Sequence, residues 1–298
     1  LTSVLDNSEK VAGYISECKD CGIALLPPDI NRSEDRFTVE ENGIRFGLVA
    51  IKNIGRGFIQ EVMQKREGKP FSTLHDFCER MAGSDINKRA VENLIRAGAF
   101  DATGARRSQL LQVYESIMDS AAGSLRQNLE GQLDFFSLAE ENGTASNSVR
   151  DVPLQDIPEF TPQQLMTMEK ETTGLYLSGH PMDAYRDAVR RLGVPSIGAI
   201  LGDFAQEGGP TRFADDQRIT IAGVVTSSKT KTTKNNSLMA YVVVEDDTAA
   251  MELLCFSRVL DTCGAYLKEN QAVVVKGRLS VRDEKAPQSL CDSVYPLS

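Results

Sequence analysis

The spacing of apolar residues along the chain falls into three regimes. In the first, apolar positions recur at helical intervals. Ser8 is placed to cap a helix carrying Val11, Tyr14 and Ile15, which Gly22 and the Pro27-Pro28 turn end. Around Asn42-Gly43 the pattern has a strand–turn–strand look. A short apolar helix in "LVAIKNI" then runs into Gly55-Arg56-Gly57, and a second helix follows with Phe58, Ile59, Val62 and Met63 on its apolar side. After "KPFSTLHDFCERM", the helix "INKRAVENLIRA" runs into Gly98 and is followed by "AFDATGARRSQLLQVYESIMDSA". This is a second helix–turn–helix unit, spaced about as the first.

In the second regime, from Ala121 to Pro162, the period dissolves into Gly, Ser, Asn, Pro, Asp and Glu, which reads as a linker. Helical spacing returns in "TPQQLMTMEKETTGLYL" and "MDAYRDAVRRLG". In the third, from Gln217, five β-branched-rich runs appear: "RITIAGVVTSS", "LMAYVVVEDD", "AMELLCF", "AVVVKGRLSV" and "SLCDSVYPL". A helical "SRVLDTCGAYLKE" falls between the third and fourth. Five strands with a helix between strands three and four is the order of an OB-fold barrel. The other connections are too short for crossover helices, which argues against a parallel α/β sheet.

The totals narrow the class. With 298 residues, 41% hydrophobic and 25% charged, the chain has room for two or more soluble domains. No apolar run approaches the roughly 20 residues that span a bilayer, and "LTSVLDNSEK" has no signal-peptide pattern. The missing initiator Met leads us to expect a fragment of a longer chain. Cys18 and Cys21 form one "CKDC" pair without a second pair, and the two histidines, His75 and His180, lie far from it. A zinc site needs about four ligands, so the cysteines read as reduced thiols of a cytoplasmic protein.

The net charge of −9 at first disfavours a polyanion partner, but its distribution does not. Residues 1–46 carry −4, residues 47–112 carry +4, residues 113–216 carry −10 and residues 217–298 carry +1. Because salt limits the reach of distant charges to about 10 Å, a phosphate polymer feels the local field.

Three stretches carry chemistry. The first is Ile54-Gly55-Arg56-Gly57. A tight turn between helices calls for residues tolerant of positive φ, and it leaves N–H groups at the next helix N-terminus that favour an anion. Lys52 and Arg56 add charge. The pattern resembles a helix-hairpin-helix, which grips DNA phosphate without reading sequence; the alternative is a plain αα-hairpin. Gly98, with Arg96, Arg106 and Arg107, makes a second and weaker match, and Lys88 and Arg89 are further phosphate contacts or else a solvated helix face. The second stretch is the loop "SSKTKTTKNNS" between the first two barrel strands, with Lys229, Lys231 and Lys234. Such loops flank the nucleic-acid groove of OB-folds, and Tyr241 and Phe256 are candidate stacking rings. The competing readings are a soluble hairpin tip for the lysines and core packing for the rings. The third is Gln132-Leu133-Asp134-Phe135-Phe136, which joins an amide, an aliphatic group and two rings in one short peptide. That is the logic of a linear docking motif read as an extended peptide; the alternative is that the rings fold back onto the chain's own helices.

Taken in order, "ALLPPDIN", "IRFGLVAIKNIG", "INKRAVENLIRAGAFD", "GQLDFF", "LYLSGHPMD" and the barrel opening "ITIAGVVTSSKTKTTKNNSLMAYVVVEDD" resemble the C-terminal portion of the bacterial replicative DNA polymerase III alpha subunit family. The resemblance covers nearly the whole chain. It implies an α+β fold, a mainly helical helix-hairpin-helix region followed by a five-stranded OB barrel. It divides the chain into the end of a fingers domain (1–46), a tandem helix-hairpin-helix region (47–120), a linker with a clamp-binding motif (121–162), a helical connector (163–216) and an OB domain (217–298). It implies that Lys52, Gly55, Arg56 and Gly57 face duplex DNA, that Gln132 to Phe136 dock on a β sliding clamp, and that the loop at Lys229 to Lys234 meets single-stranded template. Primer-template DNA and other replicase subunits are the implied further partners, with no membrane. The family's catalytic carboxylates, which hold magnesium, lie upstream of this stretch. No catalytic residue, metal or cofactor is therefore expected here, nor nucleotidyl transfer from this chain alone. Asp246-Asp247 reads as a turn between strands. The competing functions are a nucleic-acid-binding interaction adaptor and the accessory region of another DNA-processing enzyme such as a nuclease.

Overall fold

The computed structural model describes residues 21–135, 152–232, 236–282 and 286–298, together with residues 14 and 18. The chain divides into two compact units, Leu1–Ser178 and Gly179–Ser298.

In the first unit a small sheet sets β3 (Gly43–Arg45) between β1 (Leu25–Leu26), which it meets in parallel, and β2 (Thr38–Glu40), which it meets antiparallel. The Asn42-Gly43 turn thus joins strands as its residues predict. Among the described residues five helices follow: α1 (Arg56–Arg66), α2 (Leu74–Met81), α3 (Lys88–Arg96), α4 (Arg107–Phe135) and α5 (Pro162–Thr173). Their boundaries follow local chemistry. Thr73 and Asn87 cap α2 and α3, and Thr161 with Gln164 forms a capping box ahead of α5, with Pro162 in its first turn. The apolar stripes meet in one core, where Phe77 packs edge-on against Phe58, Phe71 and Phe100 at centroid distances of 6.3, 5.0 and 5.1 Å.

Two expectations are corrected here, and one helix goes beyond them. The helix leading into Gly55 is only a 3-10 turn, Leu48–Ala50. The residues of α2 hold an unread helix, buried through Leu74, Phe77, Cys78 and Met81. And α4 continues through residues 121–135, where the sequence shows no sustained period. No proline interrupts that stretch, and its Gly123 and Gly131 cost a helix only about 1 kcal/mol each.

In the second unit a 3-10 turn (Pro181–Tyr185), α6 (Arg186–Leu192) and α7 (Ile197–Phe204) precede a closed barrel. Its strands are β4 (Arg218–Thr232), β5 (Leu238–Glu245), β6 (Ala250–Phe256), β7 (Ala272–Ser280) and β8 (Gln288–Pro296), in the spatial order β4-β5-β6-β8-β7. Helix α8 (Ser257–Cys263) joins β6 to β7. Alternation assigns the faces: Ala240, Val242 and Val244 of β5 are fully buried in the barrel core, and Met239, Tyr241 and Val243 between them are not. The turn after β5 does more than reverse the chain. Asp246 Oδ2 accepts the Ile197 N–H at 2.7 Å and Thr248 Oγ1 accepts the Gly198 N–H at 2.8 Å, fixing the start of α7. That helix buries Ile197 and Ile200 in the barrel core.

Candidate nucleic-acid interface

The first hairpin is held from beneath and open above. Ile51 and Ile54 anchor it in the core. Between them, the Lys52 N–H donates to Thr172 O at 2.9 Å, and Asn93 Nδ2 donates to Lys52 O at 2.7 Å. The left-handed residue of the turn is Asn53, with φ 63°. Gly55 has φ −82° and ψ 151°, a conformation open to any residue. The expectation that the glycines supply positive φ is therefore wrong for this hairpin. A Cβ at Gly55 or Gly57 would meet nothing within 4 Å, so neither packing nor conformation demands glycine there. What remains is a bare backbone at a helix start.

That start lacks a cap. Among the described residues, no side chain accepts a hydrogen bond at the N-terminus of α1. The other helices described in this unit are closed by oxygens of the chain itself: Thr73 takes the Asp76 N–H at 3.0 Å, Asn87 the Ala90 N–H at 2.8 Å and Thr161 the Gln164 N–H at 3.3 Å. Helix α4 is closed from a distance, since the Glu159 carboxylate accepts the N–H groups of Arg107 at 2.7 Å and Ser108 at 3.0 Å. The first turn of α1 thus presents donors and the positive end of a helix dipole to an anion. Arg56 beside it is exposed and has no ion pair among the described residues. Lys52, expected to add charge here, turns its ammonium back onto Glu171 O at 2.7 Å.

The second hairpin is built differently. Gly98 does require glycine: its φ is +85°, and a Cβ would stand 2.2 Å from Arg107 Nη2. Arg107 is buried, and its guanidinium donates to Asp101 Oδ2 at 2.7 Å, Glu169 Oε1 at 3.1 Å and Arg96 O at 3.1 Å. Arg107 is therefore a structural residue and not a phosphate contact, because all its donors are directed inward. Arg96 pairs with Glu92 and Glu171, and Arg106 with Asp156 at 2.7 Å. Lys88 reaches Glu115 and Asp119 on α4, each at 3.1 Å. Arg89 is exposed with no ion pair among the described residues.

On the barrel, both candidate rings lie outside the interior. Phe256 is 49% exposed and Tyr241 half-buried, and neither joins the barrel core, which corrects the core-packing alternative. Register brings them into one patch. Tyr241 stands opposite Lys229 on β4 and Leu254 on β6, and Met239 opposite Lys231 and Phe256. Met239 is the residue that sequence reading missed; its place in the alternation of β5, two before Tyr241, was the available signal. Lys234 lies outside the described residues.

Of the docking peptide, Gln132 to Phe135 belong to α4, so the extended form expected for them is corrected to helix, and Phe136 lies outside the described residues. Among the described residues, no three His, Cys, Asp or Glu side chains group as a metal site, and no helix is long and apolar enough to cross a membrane.

Both units match known families. Residues 22–110 match a helix-hairpin-helix motif family, and residues 219–297 an OB-fold nucleic acid binding domain family. Over 285 residues, 95% of its length, the chain is 34% identical to a DNA polymerase III subunit alpha of Vibrio cholerae and 35% identical to that of Saccharopolyspora erythraea. It is 31% identical over 298 residues to that of Mycobacterium tuberculosis. The chain spans about a quarter of the length of these relatives, 23% of the first two and 24% of the third.

Proposed function

This chain belongs to the DNA polymerase III alpha subunit family, and from that premise we propose that it is the part that holds DNA and tethers it to a sliding clamp. The first hairpin grips a duplex phosphate at the start of α1, through backbone N–H groups and Arg56. The barrel receives single-stranded template across Tyr241 and Phe256, with Lys229 and Lys231 on its phosphates. Gln132 to Phe136 dock on the clamp, and other replicase subunits complete the assembly. The observation that carries the reading is the uncapped start of α1, with two glycines for which the protein itself has no steric use. A backbone phosphate needs that bare surface, because side chains there would hold it off.

The test replaces Gly55 and Gly57 by Val and measures duplex binding on unrelated sequences. The expected result is an even loss of affinity in a variant that melts like the parent. A loss confined to some sequences, or no loss, would count against a phosphate grip.

A further inference from the structure

One stretch of the chain, residues 156–171, sets four acidic side chains on the cationic groups of the second hairpin. Asp156 pairs with Arg106 at 2.7 Å, and Glu171 pairs with Arg96. Glu169 meets Arg107 at 3.1 Å, and Glu159 covers the N-terminus of α4. Arg96, Arg106 and Arg107, the three arginines placed around Gly98, are thus each engaged by a carboxylate of the same chain. Burial pushes the Glu159 carboxyl up, but the N–H groups of Phe160, Ser108 and Arg107 outweigh it and hold it below the usual carboxylate range. At neutral pH this residue is an anion on a helix start, the role a phosphate oxygen plays elsewhere.

Resting on the duplex-binding reading above, we infer that residues 156–171 form an acidic strap that competes with the DNA backbone for the second hairpin. In the resting chain the first hairpin is open to phosphate, while Arg96, Arg106 and Arg107 of the second are paired. The four contacts differ in how readily they yield. Glu169 and Arg107 are 1% and 6% exposed and stay paired. Asp156 is 92% exposed against Arg106 at 45%, and Glu171 57% exposed against Arg96 at 27%. Exposed ion pairs are weak and salt-screened, so removing these two carboxylates frees two arginines for a duplex seated on the first hairpin without disturbing the buried pair. The strap therefore sets how much of the cationic surface a given DNA can recruit.

The test uses the whole chain and the double variant Asp156→Asn/Glu171→Gln, with duplex affinity measured against salt and melting followed in parallel. The expected result is tighter binding, up to about fivefold for each arginine released. The slope of log affinity on log salt should steepen by up to about 0.9 for each added phosphate contact. Adding Arg96→Gln and Arg106→Gln should cancel the gain. Unchanged affinity and slope in a variant that melts like the parent would overturn the inference. If the double variant proves unstable, Arg96→Gln/Arg106→Gln in the otherwise unaltered chain decides. Masked arginines predict unchanged affinity at moderate salt, and a clear loss overturns the strap. A parent that binds no duplex beside a double variant that does would uphold the strap and refute the open first hairpin. Binding by neither would refute both.

Discussion

Arg107 Nη2 lies 3.1 Å from Glu169 Oε1, and the two side chains are 6% and 1% exposed. Burial works against the guanidinium charge, but Asp101 and Glu169 outweigh it and raise its pKa above the ordinary arginine value. The second oxygen of Glu169 takes the N–H groups of Leu177 and Ser178 and the Ser178 hydroxyl, at 2.9 to 3.0 Å. One carboxylate therefore ties the chain beyond α5 to the second hairpin. Removing Glu169 leaves Arg107 with Asp101 alone and takes the acceptor from the Leu177 and Ser178 N–H groups. Glu169→Ala is expected to destabilise the first unit by about 3–5 kcal/mol, read by denaturant unfolding.

The second unit carries a pH-dependent clasp. Burial raises the Asp203 carboxyl, but the N–H groups of Arg212, Phe213 and Thr211 and the Thr211 hydroxyl outweigh it and hold its pKa at about 2. A carboxyl depressed below its unfolded value of about 3.9 stabilises the fold above that value, and the contribution is lost as pH falls toward 2. The barrel's melting temperature should therefore fall between about pH 5 and pH 2. Asp203→Asn should melt lower than the parent at pH 7 and lose less on acidification. Parallel pH profiles would refute this role.

How much of this was legible in the sequence depends on the range of the interaction. The five barrel strands were, because β-branched runs fix them locally and the order of strands and helix needs no distant contact. The helical run Phe58 to Met63 was legible for the same reason. Helix α2 was not, although Thr73 and Asp76 carry a cap signal, since eight residues give barely two turns of periodicity. In α7, Gly198 and Gly202 break the apolar pattern in the same way. The fate of the arginines was beyond reach. Arg107 finds Glu169 62 positions away, and Arg106 finds Asp156 50 positions away, so no local pattern separates them from exposed Arg56. The left-handed turn residue was misassigned because glycine is the usual choice, and here Asn53 takes it.

The barrel face makes a separate prediction. Tyr241 and Phe256 stand outside the core, so Tyr241→Ala and Phe256→Ala should leave the fold standing. Each should weaken binding of a single-stranded oligonucleotide by about 1–3 kcal/mol, the worth of one stacked base. Affinity unchanged in both variants would remove the rings from the interface.

The proposed docking peptide makes a prediction of its own. Phe135→Ala/Phe136→Ala is expected to abolish capture of the chain by a β sliding clamp while duplex affinity stays at the parent value. Capture undiminished in the double variant would refute the assignment of Gln132 to Phe136.

The open start of α1 is tested most directly by duplex affinity measured across a range of salt, for the parent and for Arg56→Gln. A phosphate grip predicts a steep linear fall of log affinity with log salt in the parent. The variant should show a slope smaller by about one and a loss that is uniform across sequences. The same slope in both proteins, or an affinity indifferent to salt, would contradict the account.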